Sequence, residues 1–455
     1  MSVTPVSALR RAAALAEDHL AGLAERRVGA ITGYGDVVAA LDEPLPDEGE
    51  DAAEVVERLA AVVGPATVAS PGPRYFGFVT GGVLPAALGA DWLATAWDQN
   101  GFTRVSSPAA AAVEAAAERW VLEALGLPAG AAVGFATGAT MANFTGIAAA
   151  RHALLARAGW DVEADGLAGA PPIRVLVGEQ VHASLLVAVR YAGLGAGRVE
   201  RVAADDQGAM RADALREALR DGPTLVCAQA GEVNTGAFDP LDAIADALAE
   251  HDAWLHVDGA FGLWAAASPR LRGLAAGAER AHSWAVDAHK WLNVPYDGGL
   301  AIVADREAVR GAMGVRASYL PAEDGREPYD YVPEMSRRAR GVPVYAALRS
   351  LGRNGLAELV ERCCALARRL ADAMAGIPGA EVLNDVVLNQ VLVRFGDSDE
   401  VTRAVVDEVQ RSGEAWLGPT VWRGRVAARI SVSNWSTTED DIDRLAAALS
   451  AAASR

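Results

Sequence analysis

An α/β architecture, with a mostly parallel central sheet covered by helices on both faces, is what this sequence predicts, and three observations predict it. Between about residues 108 and 330, short apolar runs alternate with helical patterns. Polar or small residues follow several of those runs, as loops at the ends of open sheets do. With 51% hydrophobic and 22% charged residues, the chain can bury a sizeable core.

The elements follow in order. Residues 7 to about 65 read as helical, interrupted at Pro44-Leu45-Pro46-Asp47-Glu48-Gly49-Glu50-Asp51, where two prolines and a glycine cannot continue a helix. Ser70-Pro71-Gly72-Pro73 ends this arm, so residues 1–72 are expected to form an N-terminal helical segment. A large unit, 73–343, carries strands expected at Ile173–Val177, Thr224–Ala230, Trp254–Val257, Ser283–Val286 and Leu300–Val303. Helices are expected between them at Thr140–Ala158, Ser184–Ala192, Ala212–Leu219 and Leu241–Glu250, and the alternation implies right-handed crossovers. The alanine-rich stretch Ala109–Ala112 reads as helix. After Pro343 the pattern changes to a long helix, Val344–Ala375, which opens a small α+β unit, 344–455. Apolar runs at Gln390–Phe395 and Val426–Val432 follow, then a last helix, Thr438–Ala452, capped from Thr437-Thr438-Glu439-Asp440.

Bulk properties exclude several classes. A net charge of −18 argues against nucleic acid or anionic membrane as partners, since both need a basic footprint. No stretch reaches about 18 uninterrupted apolar residues, the length of a membrane span. The start, Met1-Ser2-Val3-Thr4-Pro5, leads into a charged amphipathic helix and lacks a signal-peptide layout. Three cysteines, Cys227, Cys363 and Cys364, form no disulfide framework. A soluble, cytoplasmic protein with no metal centre is expected.

Lys290 is the only lysine; the other basic positions are arginine. Where a charge or donor sufficed, arginine served, so the one lysine points to chemistry a guanidinium cannot do. An amine can lose its proton and attack a carbonyl to form a Schiff base. Lys290 sits in Asp287-Ala288-His289-Lys290-Trp291, just after the run expected to be a buried strand. Four further signals accompany it. Trp254-Leu255-His256-Val257-Asp258-Gly259-Ala260 is an apolar strand ending in a carboxylate, which suits a protonated pyridine nitrogen or, equally, a helix cap. Phe135-Ala136-Thr137-Gly138-Ala139-Thr140-Met141-Ala142-Asn143 is a small-residue turn opening a helix, suited to a phosphate, though such turns are common. His182, after another strand, is placed to stack on an aromatic ring or to serve structure alone. Ala230-Gly231-Glu232-Val233-Asn234-Thr235-Gly236-Ala237-Phe238-Asp239-Pro240 is a polar loop at the same end of the sheet.

Taken in this order, the segments resemble the group II pyridoxal-phosphate-dependent decarboxylases, the family of aromatic amino acid, glutamate and histidine decarboxylases. The resemblance runs from about Tyr75 to Asn434 and rests on His182-Ala183-Ser184, Thr235-Gly236-Ala237-Phe238-Asp239-Pro240, His256-Val257-Asp258-Gly259-Ala260 and Asp287-Ala288-His289-Lys290-Trp291-Leu292. It implies the type I fold of pyridoxal-phosphate enzymes, pyridoxal 5'-phosphate as cofactor, and decarboxylation of an amino acid to its amine. Lys290 would carry the cofactor, Asp258 pair with the ring nitrogen and His182 stack on the ring. Gly138, Ala139, Thr140, His289, Ser283 and Ala260 complete the implied cofactor set. Ala317-Ser318-Tyr319-Leu320-Pro321 resembles the family's catalytic loop, with Tyr319 as proton donor, and Arg340 in Ser336-Arg337-Arg338-Ala339-Arg340 would support the site. Phe78 and Thr80, in Tyr75-Phe76-Gly77-Phe78-Val79-Thr80, would line the substrate pocket, and Phe102 would be a wall from a neighbouring subunit of a homodimer, whose partner the 1–72 arm would embrace as a dimerisation segment.

The chain departs from the pattern in places. Relatives often carry paired threonines where Glu232 and Val233 stand, and asparagine or serine at Asp287, which is therefore left out of the phosphate set. An aminotransferase would use the same lysine, aspartate and phosphate loop; Tyr319 and the His182 motif favour decarboxylation. A decarboxylation-dependent aldehyde synthase typically has phenylalanine at the loop position, and a non-catalytic cofactor-binding protein would not need the intact set. Phe78, Thr80 and Phe102 suggest an aromatic or other apolar substrate side chain.

Overall fold

Seven strands form the central sheet: β1 (Ala132–Ala136), β2 (Arg174–Gly178), β3 (Glu200–Val202), β4 (Thr224–Gln229), β5 (Ala253–Asp258), β6 (Ser283–Asp287) and β7 (Gly299–Val303). The computed structural model describes residues 5–315 and 325–455. The Ala317–Pro321 segment, with Tyr319, lies outside the described residues. Strand order is β1-β7-β6-β5-β4-β2-β3, parallel except for β7, which runs antiparallel to both its neighbours. The strands β4, β5, β6 and β7 are buried at every position, the mark of a sheet covered on both faces. Fully buried residues such as Phe135 and Leu255 each contribute about 1.5–3 kcal/mol by leaving water.

The expected strands in this region all form. The strands β1 and β3 were not expected. The Ala-Val-Gly-Phe-Ala run of β1 is too rich in small residues to separate from the turn after it, and β3 is a three-residue edge strand. The helix Ala139–Arg157 lies against β5, β6 and β7 and brings its N-terminus to their functional edge.

A second sheet, all antiparallel, contains β8 (Ala380–Val382), β9 (Gln390–Phe395), β10 (Gly418–Trp422) and β11 (Arg425–Ser431), in the order β10-β11-β9-β8. Its tight β10–β11 hairpin turns through Arg423 and Gly424, both at positive φ, as a two-residue turn requires. The long helix spans Gly341–Ala375 but is interrupted at Gly352 (φ 60°, ψ −175°), a conformation that glycine supplies without a Cβ clash. The last helix is capped as expected: Thr438 accepts from Asp441 N–H, and the Asp441 carboxylate reaches back to Thr438.

The N-terminal arm is helical over Pro5–Ala21, Tyr34–Leu41 and Ala52–Val63. Asp51, the last residue of the expected break, starts the third helix by accepting from Ala53 and Glu54 N–H. Neither the second nor the third of these helices buries a single residue within the chain. Among the described residues, no helix is long and apolar enough to cross a membrane.

Candidate active site

Because β1, β2, β4, β5 and β6 share one direction, Ala136, Gly178, Gln229, Asp258 and Asp287 all reach the same edge of the sheet, where β7 begins at Gly299. Three residues beyond β6 stands Lys290. Its loop folds back on β7, since Ala288 and His289 N–H both donate to Gly298 O (3.0 and 3.1 Å). Lys290 Nζ lies 3.1 Å from Asp287 Oδ2, and its side chain is only 18% exposed. The front segment runs directly over this loop. A Cβ at Gly81 would lie 1.8 Å from Lys290 O, so only glycine permits that approach. Gly82 N–H donates to Asn293 Oδ1 (2.6 Å), which fixes the contact.

The aspartate expected at the end of β5 is there and buried. Asp258 Oδ2 accepts from Asn143 Nδ2 (3.0 Å), and Oδ1 accepts from Ala260 N–H (3.2 Å). Ala260 O in turn accepts from Asp287 N–H (2.8 Å), which ties the ends of β5 and β6 together.

His182 caps the helix Ala183–Tyr191. Its Nδ1 accepts from Ser184 N–H (3.3 Å) and lies 2.7 Å from Ser184 Oγ, which leaves Nε2 free to face the site. The ring is open to solvent on one side, yet enough protein packs around it for desolvation to lower its pKa. Asp258 opposes that shift, while Lys290 and Arg429 reinforce it. His182, Asp258, Lys290 and Asp287 therefore share one electrostatic neighbourhood.

At the helix N-terminus, Gly138 lies against His289 and Asp287: an added Cβ would meet them at 3.1 and 3.3 Å. First-turn N–H groups have no partner inside a helix. Here Asp287 Oδ1 takes that of Ala139 (2.6 Å), which leaves Thr140 and Met141 to meet a ligand or water. His289 Nδ1 accepts from Gly298 N–H (3.2 Å), so Nε2 carries the proton in the neutral ring; burial lowers its pKa. The departure at Asp287 thus has a structural answer. Its carboxylate holds the amine on one side and the helix N-terminus on the other.

Ser283 does not belong to this edge. It opens β6 at the opposite end from Asp287, fully buried, with its hydroxyl between Trp254 Nε1 (2.8 Å) and His256 Nδ1 (2.8 Å). Four residues of strand, roughly 13 Å, separate the two ends. The expected direct contact with the cofactor is therefore corrected.

At the front, Thr80 is buried and its hydroxyl is 3.4 Å from Tyr296 Oη, whose ring packs on His289 (4.4 Å between centroids). Phe78 is 61% exposed with φ 52°, and its ring lies 5.1 Å from Trp416. Arg340 donates to Asp297 through Nε (2.7 Å) and a second nitrogen (3.3 Å), next to Tyr296. Phe102 packs on Tyr329, at 5.2 Å between centroids.

The sequence reading gave no role to four residues. Asn143 and His256 lie behind Asp258. Glu232 organises its own loop, its carboxylate accepting from the N–H groups of Asn234 and Thr235 and from both their side chains. Arg429, on β11, faces His182 and Glu232 without a hydrogen bond to any described residue, and burial lowers its pKa. An arginine inside an apolar run was the available signal. An amine, a carboxylate, a ring-bearing histidine and a row of unspent N–H groups on one edge fit a cofactor that carries an aldehyde, a basic ring nitrogen and a phosphate.

Comparisons agree with that fit. The family model for the pyridoxal-dependent decarboxylase conserved domain matches residues 35–395. Tryptophan decarboxylase 1 of Oryza sativa subsp. japonica is 30% identical over 419 residues, covering 83% of this chain and 80% of that protein. A histidine decarboxylase of Drosophila melanogaster is also 30% identical, over 93% of this chain, which spans about half (52%) of that protein. Among solved structures, Oryza sativa TDC with PLP and tryptamine superposes with a TM-score of 0.91 at 25% identity, covering 100% of this chain and 98% of that one. Fold, edge geometry and matched family coincide over most of the chain: it belongs to the pyridoxal-dependent decarboxylase family, pyridoxal-phosphate enzymes that decarboxylate amino acids.

Proposed function

We propose that the substrate is an L-amino acid with an aromatic side chain, converted to its amine and carbon dioxide at a site completed by a second copy of the chain. The observation that carries the substrate class is the aromatic wall at the front. Phe78 is presented to solvent, Trp416 lies behind it, and Tyr75 stacks on Trp416 (4.9 Å, 13° between planes). A flat apolar wall beside the Lys290 loop gains most by burying another ring.

Bound pyridoxal phosphate supplies the electron-accepting ring. The chain's own residues do the rest in this reading. Lys290 provides the amine that carries the cofactor between turnovers, with Asp287 holding its nitrogen in place. Gly138 leaves room for the phosphate, while Thr140 and Met141 N–H and His289 Nε2 supply donors; Ala139 is already satisfied by Asp287. Asp258, beside Ala260, would pair with the ring nitrogen and keep it protonated, and His182 would stack on the ring. Arg429, whose side chain makes no hydrogen bond to any described residue, offers a guanidinium suited to the substrate's carboxylate, a bidentate match. Arg340 holds Asp297 and so steadies the Tyr296–Thr80 wall. Tyr319 returns a proton to the carbon that has lost carbon dioxide.

The second copy is supported by the N-terminal region. Ile31, Tyr34, Leu45, Leu59 and Trp97 are exposed, and two of the arm's helices bury nothing in their own chain. Covering such a surface with its equivalent is the usual solution. Phe102 would then reach the partner's site as a wall. Screening the twenty common amino acids for released carbon dioxide tests the reading. Turnover of tryptophan, tyrosine or phenylalanine is expected, and exclusive turnover of acidic amino acids would overturn the aromatic assignment. Light scattering of the purified protein at twice the chain mass is expected; a monomer would remove the shared site.

A further inference from the structure

Behind Asp258 runs a chain of four side chains that the reaction does not itself require. Trp254 Nε1 is 2.8 Å from Ser283 Oγ, Ser283 Oγ is 2.8 Å from His256 Nδ1, His256 Nε2 is 2.7 Å from Asn143 Oδ1, and Asn143 Nδ2 is 3.0 Å from Asp258 Oδ2. All four are buried. The direction of the chain is fixed by chemistry at its far end. An indole nitrogen can only donate, so Ser283 accepts from Trp254 and has one hydrogen left to give. That hydrogen goes to His256 Nδ1, so the neutral ring carries its proton on Nε2. His256 Nε2–H then donates to the oxygen of Asn143, which forces the amide's NH₂ toward Asp258. Each donor points at the carboxylate, and none can be reversed without stranding a buried polar group.

We infer that Trp254, Ser283, His256 and Asn143 are positioning residues that lock the amide of Asn143 donor-first onto Asp258, and so set the orientation of the carboxylate that meets the cofactor's ring. This rests on the assignment of Asp258 to the ring nitrogen. A flipped amide would turn its oxygen on the carboxylate, repelling it and tilting it away from the ring. Burial keeps His256 neutral, its pKa lowered to about 3, so the chain brings no second charge to the floor of the site. The local packing is built around this contact. A Cβ at Gly146 would lie 2.8 Å from the His256 ring and 3.2 Å from Ser283 Oγ, so the helix passes close only because that position is glycine. The same helix presents its N-terminus at the phosphate end and Asn143 one turn later, which couples the two ends of the cofactor site through one rigid element.

The direct test reads the tautomer in the wild-type protein. Nitrogen NMR of the ¹⁵N-histidine protein, with His256 identified by its loss in His256→Gln, is expected to show a neutral Nε2–H tautomer with and without cofactor. An Nδ1–H tautomer, or protonation near neutral pH, overturns the inference. Ser283→Ala should then mix the tautomers and weaken cofactor retention about tenfold, the size of one hydrogen bond to a charged group. His256→Leu should show the same weakening together with a fall in kcat at nearly unchanged KM. His256→Gln keeps an NH donor near the Nε2 position and should recover most of both losses. A merely structural role would lower the melting temperature of Leu and Gln variants alike without that recovery. Wild-type cofactor affinity in His256→Leu would overturn the positioning role. Weaker cofactor retention in Asp258→Asn with an unchanged His256 tautomer is expected, since the aspartate and not the chain behind it meets the ring; normal catalysis by that variant would overturn the reading of Asp258 on which the inference rests.

Discussion

The floor and the front of this site are built on opposite principles. On the floor, Lys290, Asp287, Asp258 and His182 sit at the ends of buried strands, and most of their polar atoms have partners in the same chain. At the front, Phe78 holds a left-handed backbone with its ring exposed, and the second and third N-terminal helices bury no residue within their own chain. The difference teaches where each property resides. In the reading proposed above, reaction type is set by a rigid floor that one chain completes, whereas substrate choice and assembly are set at a front completed by a second copy. Changes on the floor should therefore cost orders of magnitude in turnover, and changes at the front should cost only factors.

The largest expected effect is at the lysine. Lys290→Arg keeps a positive charge beside Asp287 but removes the only side-chain amine that can bond an aldehyde. The purified variant should lack the visible absorbance of the wild type, and turnover should fall by at least about three orders of magnitude. Borohydride should attach cofactor to the Lys290 peptide of the wild type only. A coloured, active variant would end the division between floor and front.

Asp258→Ala comes next. It removes the acceptor of Asn143 and Ala260 and the charge proposed for the ring nitrogen. Removing one partner of a buried charge pair costs about 3–5 kcal/mol, so decarboxylation should fall by about two to four orders of magnitude while some cofactor binding persists. Turnover near the wild-type rate would mean that the aspartate serves structure alone.

How much of this was legible in the sequence divides along the same line. The floor could be read because its residues follow apolar runs: Asp258 after Trp254–Val257, Lys290 after Ser283–Val286. Ser283 was misplaced because nearness in sequence to His289 is not nearness in space; a strand carries its first residue away from the edge its last one reaches. Asn143 and His256 meet across 113 positions, and no local pattern announces that pairing. Arg429 was hidden because Val426–Val432 reads as an apolar run, and what its one arginine faces is set by tertiary packing rather than by its neighbours in sequence. The strained turn at Phe78 could not be read at all, since neither phenylalanine nor valine signals a left-handed backbone.

Tyr319→Phe tests the proposed return of the proton with one oxygen atom. Cofactor binding and loss of carbon dioxide need no phenol, so both should survive. Amine formation should fall by more than roughly tenfold, a floor for removing a general acid. Aldehyde, ammonia and hydrogen peroxide should rise as dioxygen reaches the unprotonated carbon, a side reaction that closed sites suppress. Unchanged amine with no peroxide would assign the proton to another group.

The smallest effect, and the sharpest test of the front, is Phe78→Asn. Asparagine tolerates the left-handed conformation that phenylalanine holds at φ 52°, and relief of such strain is worth on the order of 1 kcal/mol. Against that stands the lost ring contact with Trp416, about 0.5–1.5 kcal/mol. The two nearly cancel, and because the side chain is largely exposed little burial is lost. The melting temperature should therefore stay within a few degrees of the wild type. Binding should not stay the same. An aromatic substrate loses one wall, so KM should rise roughly three- to tenfold with kcat little changed, while an aliphatic amino acid should show no such rise. Phe78→Tyr, which keeps a ring, should preserve the preference. Equal changes in KM for aromatic and aliphatic amino acids would show that Phe78 is only a strained surface residue, and the substrate class would then have to be set by another wall.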